Sequence, residues 1–232
     1  MSAASDGNQQ ERGPVRAAVL LSGGGRTLEN ILAKIAAGDL PLSVAAVVSS
    51  RAGVRGLQVA AHAGIPCGVF PRKEYAGIVE HNQAVNAWLG DFRPAMIVLA
   101  GYLDFYMPAP GFTGPVVNIH PALLPKYGGK GFYGDRVHRA VLDAHETETG
   151  CTVHLVDDRY DHGPILGRQT VPVVPGDDVH SLAERVFAAE CELYPRVLAA
   201  LVAQITAQTD ARIAADPSAD PAGGPPPSKP VT

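Results

Sequence analysis

An α/β fold, a mostly parallel twisted sheet with helices on both faces and a mixed C-terminal part, is predicted by three observations. Short apolar runs alternate with longer amphipathic stretches from Arg16 to Ala100, the pattern of strand and crossover helix. Three glycines, Gly23 to Gly25, stand where the first run ends. Beyond Ala100 the alternation gives way to short runs separated by Gly- and Pro-containing loops, the pattern of strands, loops and a hairpin.

In order, strands are predicted at Arg16 to Leu21, Val44 to Val48, Gly68 to Phe70 and Met96 to Ala100, with helices at Leu28 to Ala37, Val54 to Ala63 and Glu74 to Gly90 between them. Next come a strand at Val116 to Ile119, a Gly-rich loop from Lys126 to Gly134, a short helix at Val137 to His145, and strands at Cys151 to Val156 and Pro164 to Val174. A closing helix from Asp178 to Gln204 carries Leu182, Val186, Leu193, Val197 and Leu201 on one face, the spacing of a helix laid on a sheet. The predicted layout is a disordered extension over 1–14, one domain over 15–205 and a Pro/Ala-rich disordered tail over 206–232.

Composition narrows the function classes. Nineteen basic against 23 acidic side chains give a formal charge of −4, a poor balance for gripping nucleic acid. Hydrophobic residues make up 46% of 232, enough for one sizeable core. No run approaches the roughly 18 apolar residues of a membrane span, and the start lacks the pattern of a signal segment, so the chain reads as cytoplasmic. Cys67, Cys151 and Cys191 form no close pair, which suits a reducing compartment, and no histidine spacing suggests a metal site.

Three segments carry chemistry. In Leu21-Ser22-Gly23-Gly24-Gly25-Arg26-Thr27, glycines admit positive φ and close ligand approach, and the free N–H groups of a helix start favour an anion such as phosphate. The pattern is neither Gly-x-Gly-x-x-Gly nor a lysine phosphate loop, and a tight turn in any α/β protein would look the same. In Asn118-Ile119-His120-Pro121, alternation points Asn118 and His120 to one side at the carboxyl end of a strand, where ligands of open α/β sheets collect. An amide and an imidazole there can donate to an oxyanion developing on a carbonyl; a buried histidine and a turn asparagine would give the same letters. Asp161, in Tyr160-Asp161-His162-Gly163-Pro164, is either a turn residue or a carboxylate near His120 that raises the imidazole pKa and relays protons.

With these segments in order, the chain resembles the phosphoribosylglycinamide formyltransferase family from about Val15 to Leu201. Matching passages include Ile97-Val98-Leu99-Ala100-Gly101-Tyr102, Asn118 through Tyr127, Val137 through Leu142, Gly150 through His154, and Glu190 with Leu193-Tyr194-Pro195. The resemblance implies a single-domain formyltransferase fold with a Rossmann-like N-terminal half. It also implies transfer of a formyl group from the cosubstrate 10-formyltetrahydrofolate to the amine of glycinamide ribonucleotide in purine biosynthesis, without a metal. Carried over, His120 is general acid and oxyanion donor, Asn118 polarises the formyl oxygen, and Asp161 sustains the histidine and moves the amine proton. Gly25, Arg26, Thr27 and Glu190 hold the ribonucleotide. Arg72, Leu103, Asp104, Phe105, Tyr106, Asn118, Asp157, Asp158, Arg159, Tyr160 and Asp161 line the folate pocket. The implied partners are these small molecules, with no nucleic acid or membrane, for a monomer or homodimer.

The chain departs from the pattern at Cys191, Phe187 and Asp104, where the family commonly carries histidine, a polar residue and arginine; these bear on the amine acceptor and the folate tail. The rival readings are a formyltransferase acting on another amine, such as an amino-sugar nucleotide, and a non-catalytic nucleotide-binding module. A deformylating hydrolase or a tRNA formyltransferase is expected to carry a further domain before or after this one. Outside the motifs, His154 reads as core filling or support for the site, and His62, His81, His145 and His180 as solvated or capping residues.

Overall fold

The computed structural model describes residues 13–215. Five strands, β1 (Val15–Leu21), β2 (Leu42–Ser49), β3 (Cys67–Val69), β4 (Met96–Leu99) and β5 (Val116–His120), run parallel. They are extended by the antiparallel β6 (Glu148–Leu155) and β7 (Ile165–Pro172), giving the order β3-β2-β1-β4-β5-β6-β7. Helices α1 (Arg26–Ala36), α2 (Arg55–His62), α3 (Ile78–Gly90), α4 (Asp135–Asp143) and α5 (Val179–Ala215) complete the chain, with a single 3-10 turn at Arg72–Glu74. The sequence reading of a mostly parallel sheet with a mixed C-terminal part agrees with this order.

The central position of β1 explains its unbroken apolar run. Ala17, Val19 and Leu21 face the core that holds Leu28 and Ile31 of α1 and the inner face of α5. Ala18 and Leu20 face the opposite core, with Val85 and Leu89 of α3. A strand buried on both faces has no polar side to alternate with. The sheet order reverses between β1 and β4, so the connections that leave their carboxyl ends part to opposite sides and leave a crevice there.

Leu182, Val186, Leu193, Val197 and Leu201 of α5 are all buried, as their spacing predicts. The helix starts at a reciprocal cap: Asp178 Oδ1 accepts the Ser181 N–H at 2.7 Å and Ser181 Oγ accepts the Asp178 N–H at 3.0 Å. Its far end corrects the expected boundary. α5 continues to Ala215, so residues 206–215, expected to open a disordered tail, are helical, and the rest of that tail lies outside the described residues. Thr206 and Thr209 return their hydroxyls to the Val202 and Ile205 carbonyls, and no glycine or proline stands between Pro195 and Pro217.

His81 is a second correction. Far from solvated, it is fully buried in α3 and donates Nε2–H to the Phe70 carbonyl at 2.9 Å, fixing the segment that leads to Arg72.

Candidate active site

The crevice is stitched at its floor by short polar residues at strand ends. Ser22 Oγ and Ser50 Oγ lie 2.6 Å apart, Ser22 Oγ accepts the Leu103 N–H at 2.9 Å, and the Ser22 N–H donates to the Gly101 carbonyl at 3.0 Å. The ends of β1, β2 and β4 are thereby held together where ligands of this architecture bind.

Gly25 takes φ 77° and precedes α1, and its carbonyl accepts the Glu29 N–H, the first bond of that helix. A Cβ at this position would lie 2.5 Å from the Gly56 Cα of α2, so Gly25 serves backbone contact between two elements as well as the turn. No side chain caps α1, which leaves its first-turn N–H groups directed at the crevice. Thr27 is half-buried in that turn. Arg26 is directed elsewhere: its guanidinium bonds both carboxylate oxygens of Glu184 at 2.6 and 2.7 Å and stacks 3.8 Å over the Phe187 ring. Glu190, one helical turn beyond Phe187, is half-buried, and burial pushes its carboxyl up to about 7, against the pull of Arg26.

Asn118 and His120 lie on the same side of β5, as alternation requires. Asp161, in the loop between β6 and β7, meets them: His120 Nδ1 is 3.4 Å from Asp161 Oδ2, and Asn118 Nδ2 donates to Asp161 Oδ1 at 3.4 Å. Asp161 takes the left-handed φ of 54°, and its Oδ2 accepts the Gly129 N–H at 2.9 Å, which draws the Gly-rich loop onto the site. Asn118 Nδ2 also donates to His154 Nε2 at 3.1 Å, while His154 Nδ1–H donates to the Leu155 carbonyl at 2.8 Å. His154 is therefore an acceptor at Nε2 that orients the Asn118 amide. The sequence places it opposite Asn118 only once the antiparallel register of β5 and β6 is known.

The protonation of His120 departs from expectation. Its Nε2 is 2.7 Å from the Tyr127 carbonyl, which can only accept, so Nε2 carries the proton and Nδ1 is the nitrogen that titrates toward Asp161. The sequence reading has Asp161 raising the imidazole pKa. Asp161 and the Tyr127 carbonyl do pull upward, but burial outweighs them, with His154 adding to the lowering, so the net shift is downward. Asp161 itself is pushed up by burial, yet the opposing contributions of His154, His120 and the Gly129 N–H hold it below the ordinary carboxylate value. At neutral pH the pair is a neutral imidazole beside a carboxylate.

The residues expected around folate are divided by the structure. Arg72, Leu103 and Asp104 line a cleft of about 490 Å³ with Ser50, Arg51 and Lys73. Phe105 packs its ring edge-on against Tyr160 at 4.9 Å, joining the loop after β4 to the loop after β6. Tyr106 does not line the cleft: it is buried in the core, and its hydroxyl donates to Asn86 Oδ1 at 2.6 Å. Asn82, which donates to the Phe105 carbonyl at 3.0 Å and accepts the Met107 N–H at 2.9 Å, sets the course of the same loop. Asp157 is occupied by His162 at 2.7 Å and by the Arg159 N–H, whereas Asp158, Arg159 and Tyr160 are exposed. Among the described residues no group of three or more His, Cys, Asp or Glu could hold a metal ion.

The chain as a whole has relatives among known proteins. The formyl transferase family model matches residues 15–198, and the chain belongs to that family. It is 37% identical over 183 residues to the phosphoribosylglycinamide formyltransferase of Haemophilus influenzae, covering 78% of this chain and 84% of that one. It is also 37% identical over 191 residues to the trifunctional purine biosynthetic protein adenosine-3 of Homo sapiens, where the match spans 81% of this chain but 18% of the larger protein. The crystal structure of glycinamide ribonucleotide transformylase 1 from Symbiobacterium toebii superposes with a TM-score of 0.77 at 33% identity, covering 87% of this chain and 94% of that one. Within the family, then, the chain groups with the phosphoribosylglycinamide formyltransferases, enzymes of purine biosynthesis.

Proposed function

We propose that this chain transfers the formyl group of 10-formyltetrahydrofolate to the amine of glycinamide ribonucleotide, with Asn118, His120 and Asp161 at the point of transfer. The single observation that carries the residue-level reading is the convergence of these three side chains, 43 residues apart at their extremes, with 3.4 Å between Asp161 and each of the others. Kinship with phosphoribosylglycinamide formyltransferases supports the substrate pair.

The amine attacks the formyl carbon as a neutral base, and the oxygen becomes an oxyanion. Asn118 meets it with the N–H that rests on Asp161, the longer of its two bonds, while the bond to His154 keeps the amide oriented. The attacking nitrogen gives up a proton, which His120 Nδ1 is free to accept because the resting imidazole is neutral and its other nitrogen is committed to Tyr127. Beside Asp161 the resulting imidazolium is stabilised, and it returns the proton to the departing folate nitrogen. The proton count balances: one leaves the amine and one arrives on tetrahydrofolate. His120 thus acts as base before it acts as acid, a sequence of roles that its lowered pKa favours.

The uncapped turn at Gly25, Arg26 and Thr27 suits the substrate phosphate, with Arg26 leaving Glu184 on binding, and Glu190 suits the glycinamide portion. Arg72, Leu103 and Asp104 would face the folate. The working compartment is the cytoplasm and the partners are these small molecules, for a monomer or homodimer. A steady-state assay with both substrates, following tetrahydrofolate release with and without the amine, tests the reading. Amine-dependent release with formylated ribonucleotide as product is expected; release without the amine would point to a hydrolase.

A further inference from the structure

We propose that Glu146 is a positioning residue for His120, acting through Tyr127. The inference rests on the reading of His120 as the proton carrier. Tyr127 occupies the left-handed region at φ 56°, which is sterically unfavourable for a residue with a Cβ, so its conformation needs an anchor. Its phenol donates to Glu146 Oε1 at 2.8 Å, and the ammonium of Lys126 donates to the same oxygen at 2.8 Å. Two consecutive residues of the loop after β5 are thereby tied to one carboxylate just ahead of β6. The Phe132 ring sits edge-on to Tyr127 at 6.3 Å.

With the side chain held, the main-chain carbonyl of Tyr127 is directed back into the site, where it accepts Nε2–H of His120 at 2.7 Å. That bond selects the tautomer. Were the carbonyl to drift, the proton on Nε2 would lose its acceptor, and the alternative tautomer, with Nδ1–H facing the Asp161 carboxylate, would compete. The resting proton would then occupy the nitrogen that the transfer needs free.

The charged groups around the two ends of this relay are few. His120 is faced by Asp161 from the loop between β6 and β7, by His154 from β6 and by His138 from α4. Glu146 is faced by Lys126 and Tyr127, and Lys126 in turn feels Glu148. Glu146 is held below its ordinary value by these donors and is a carboxylate at neutral pH. Among the described residues, the hydrogen bonds to its side chain come from Lys126 and Tyr127 alone.

The test is nitrogen-15 NMR of the full chain with labelled histidine, together with pH–rate profiles, for Glu146→Ala, Glu146→Gln and Tyr127→Phe. The unaltered chain is expected to show His120 protonated at Nε2. Glu146→Ala and Tyr127→Phe should mix the tautomers, move the His120 titration to lower pH and reduce kcat by about tenfold, less than the roughly 10²-fold that a 1 Å misplacement can cost, with a smaller change in KM for either substrate. Glu146→Gln, which keeps an acceptor for the phenol, should restore most of the tautomer preference and of kcat. An unchanged tautomer and titration in both Glu146→Ala and Tyr127→Phe would overturn the proposal. Should Glu146→Ala unfold, Tyr127→Phe, which removes one oxygen atom, decides alone. The NMR readout needs no turnover, so it stands apart from any failure of the substrate assignment.

Discussion

Asn30 of α1 donates its side-chain amide to the main-chain carbonyl of Cys191 at 3.0 Å, and Cys191 is the residue whose carbonyl Pro195 cannot serve. A proline inside a helix has no N–H for the carbonyl four residues earlier. Here that carbonyl is satisfied from another helix, and the interruption becomes a fastening of α5 to α1. One residue before the proline, the buried Tyr194 hydroxyl lies 3.0 and 2.9 Å from the Leu99 and Val117 carbonyls, joining the same stretch of α5 to β4 and β5. Glu190 and Phe187 are carried on this fastened segment.

Asn30→Leu should therefore destabilise the fold by about 1–3 kcal/mol, the usual cost of leaving a buried polar group without its partner. Urea denaturation of both proteins measures this; equal midpoints at equal slopes would mean that the bond contributes nothing.

Gly25 and Gly24 should separate structure from binding. Gly25→Ala meets Gly56 at 2.5 Å in a left-handed conformation and is expected to lower thermal stability. Gly24→Ala meets nothing within 4 Å, so the fold should persist while KM for the ribonucleotide rises through crowding at the phosphate turn. Thermal unfolding beside steady-state kinetics distinguishes the two.

Asn118→Ala should cost on the order of 10²- to 10³-fold in kcat, as the loss of one oxyanion donor typically does, and His120→Ala, which removes the proton carrier, on the order of 10²- to 10⁴-fold. Folate binding, measured by calorimetry, should survive. Near-normal turnover in either variant would remove that residue from the transfer step.

The neutral resting imidazole sets the pH dependence of turnover. kcat/KM should hold through neutral pH and fall on the acid side, with the limb below the ordinary histidine value of about 6.5, since burial lowers His120. Asp161→Asn removes a charge that pulls this pKa upward, so the limb should move to still lower pH while kcat drops. A limb that stays in place would contradict the coupling.

Acid stability should report Asp177. Its carboxylate bonds Arg185 at 2.6 and 2.8 Å and also accepts from the Val174 N–H and the Ser181 hydroxyl, and the Arg185 bond above all holds it well below the usual carboxylate range. A depressed folded-state value gives stability that is present above the unfolded value of about 3.9 and lost as pH falls below it. Asp177→Asn should lower stability at pH 7 and flatten its decline in acid, as measured by denaturation midpoints at several pH values.

Local periodicity and short motifs account for everything the residues determined by themselves. The unbroken apolar run of β1 predicts a strand buried on both faces, and the i, i+4 spacing of α5 predicts its inner side. The Asn118-x-His120 alternation predicts two side chains on one surface, because a strand repeats every second residue. Long-range placement decided the rest. The meeting of Asp161 with His120 depends on the β5–β6 register and on the loop beyond β6, and no spacing in the chain reports that distance. The sequence points to the wrong direction for the His120 pKa because that value is a balance: the carboxylate is legible, but burial, which outweighs it, exists only in the packed state. The resemblance puts Tyr106 in a pocket with Leu103 and Asp104, whereas its bond to Asn86 of α3 keeps it in the core. The resemblance makes Arg26 part of a phosphate turn, and only the packing of α5 against α1 shows the Glu184 carboxylate that holds it.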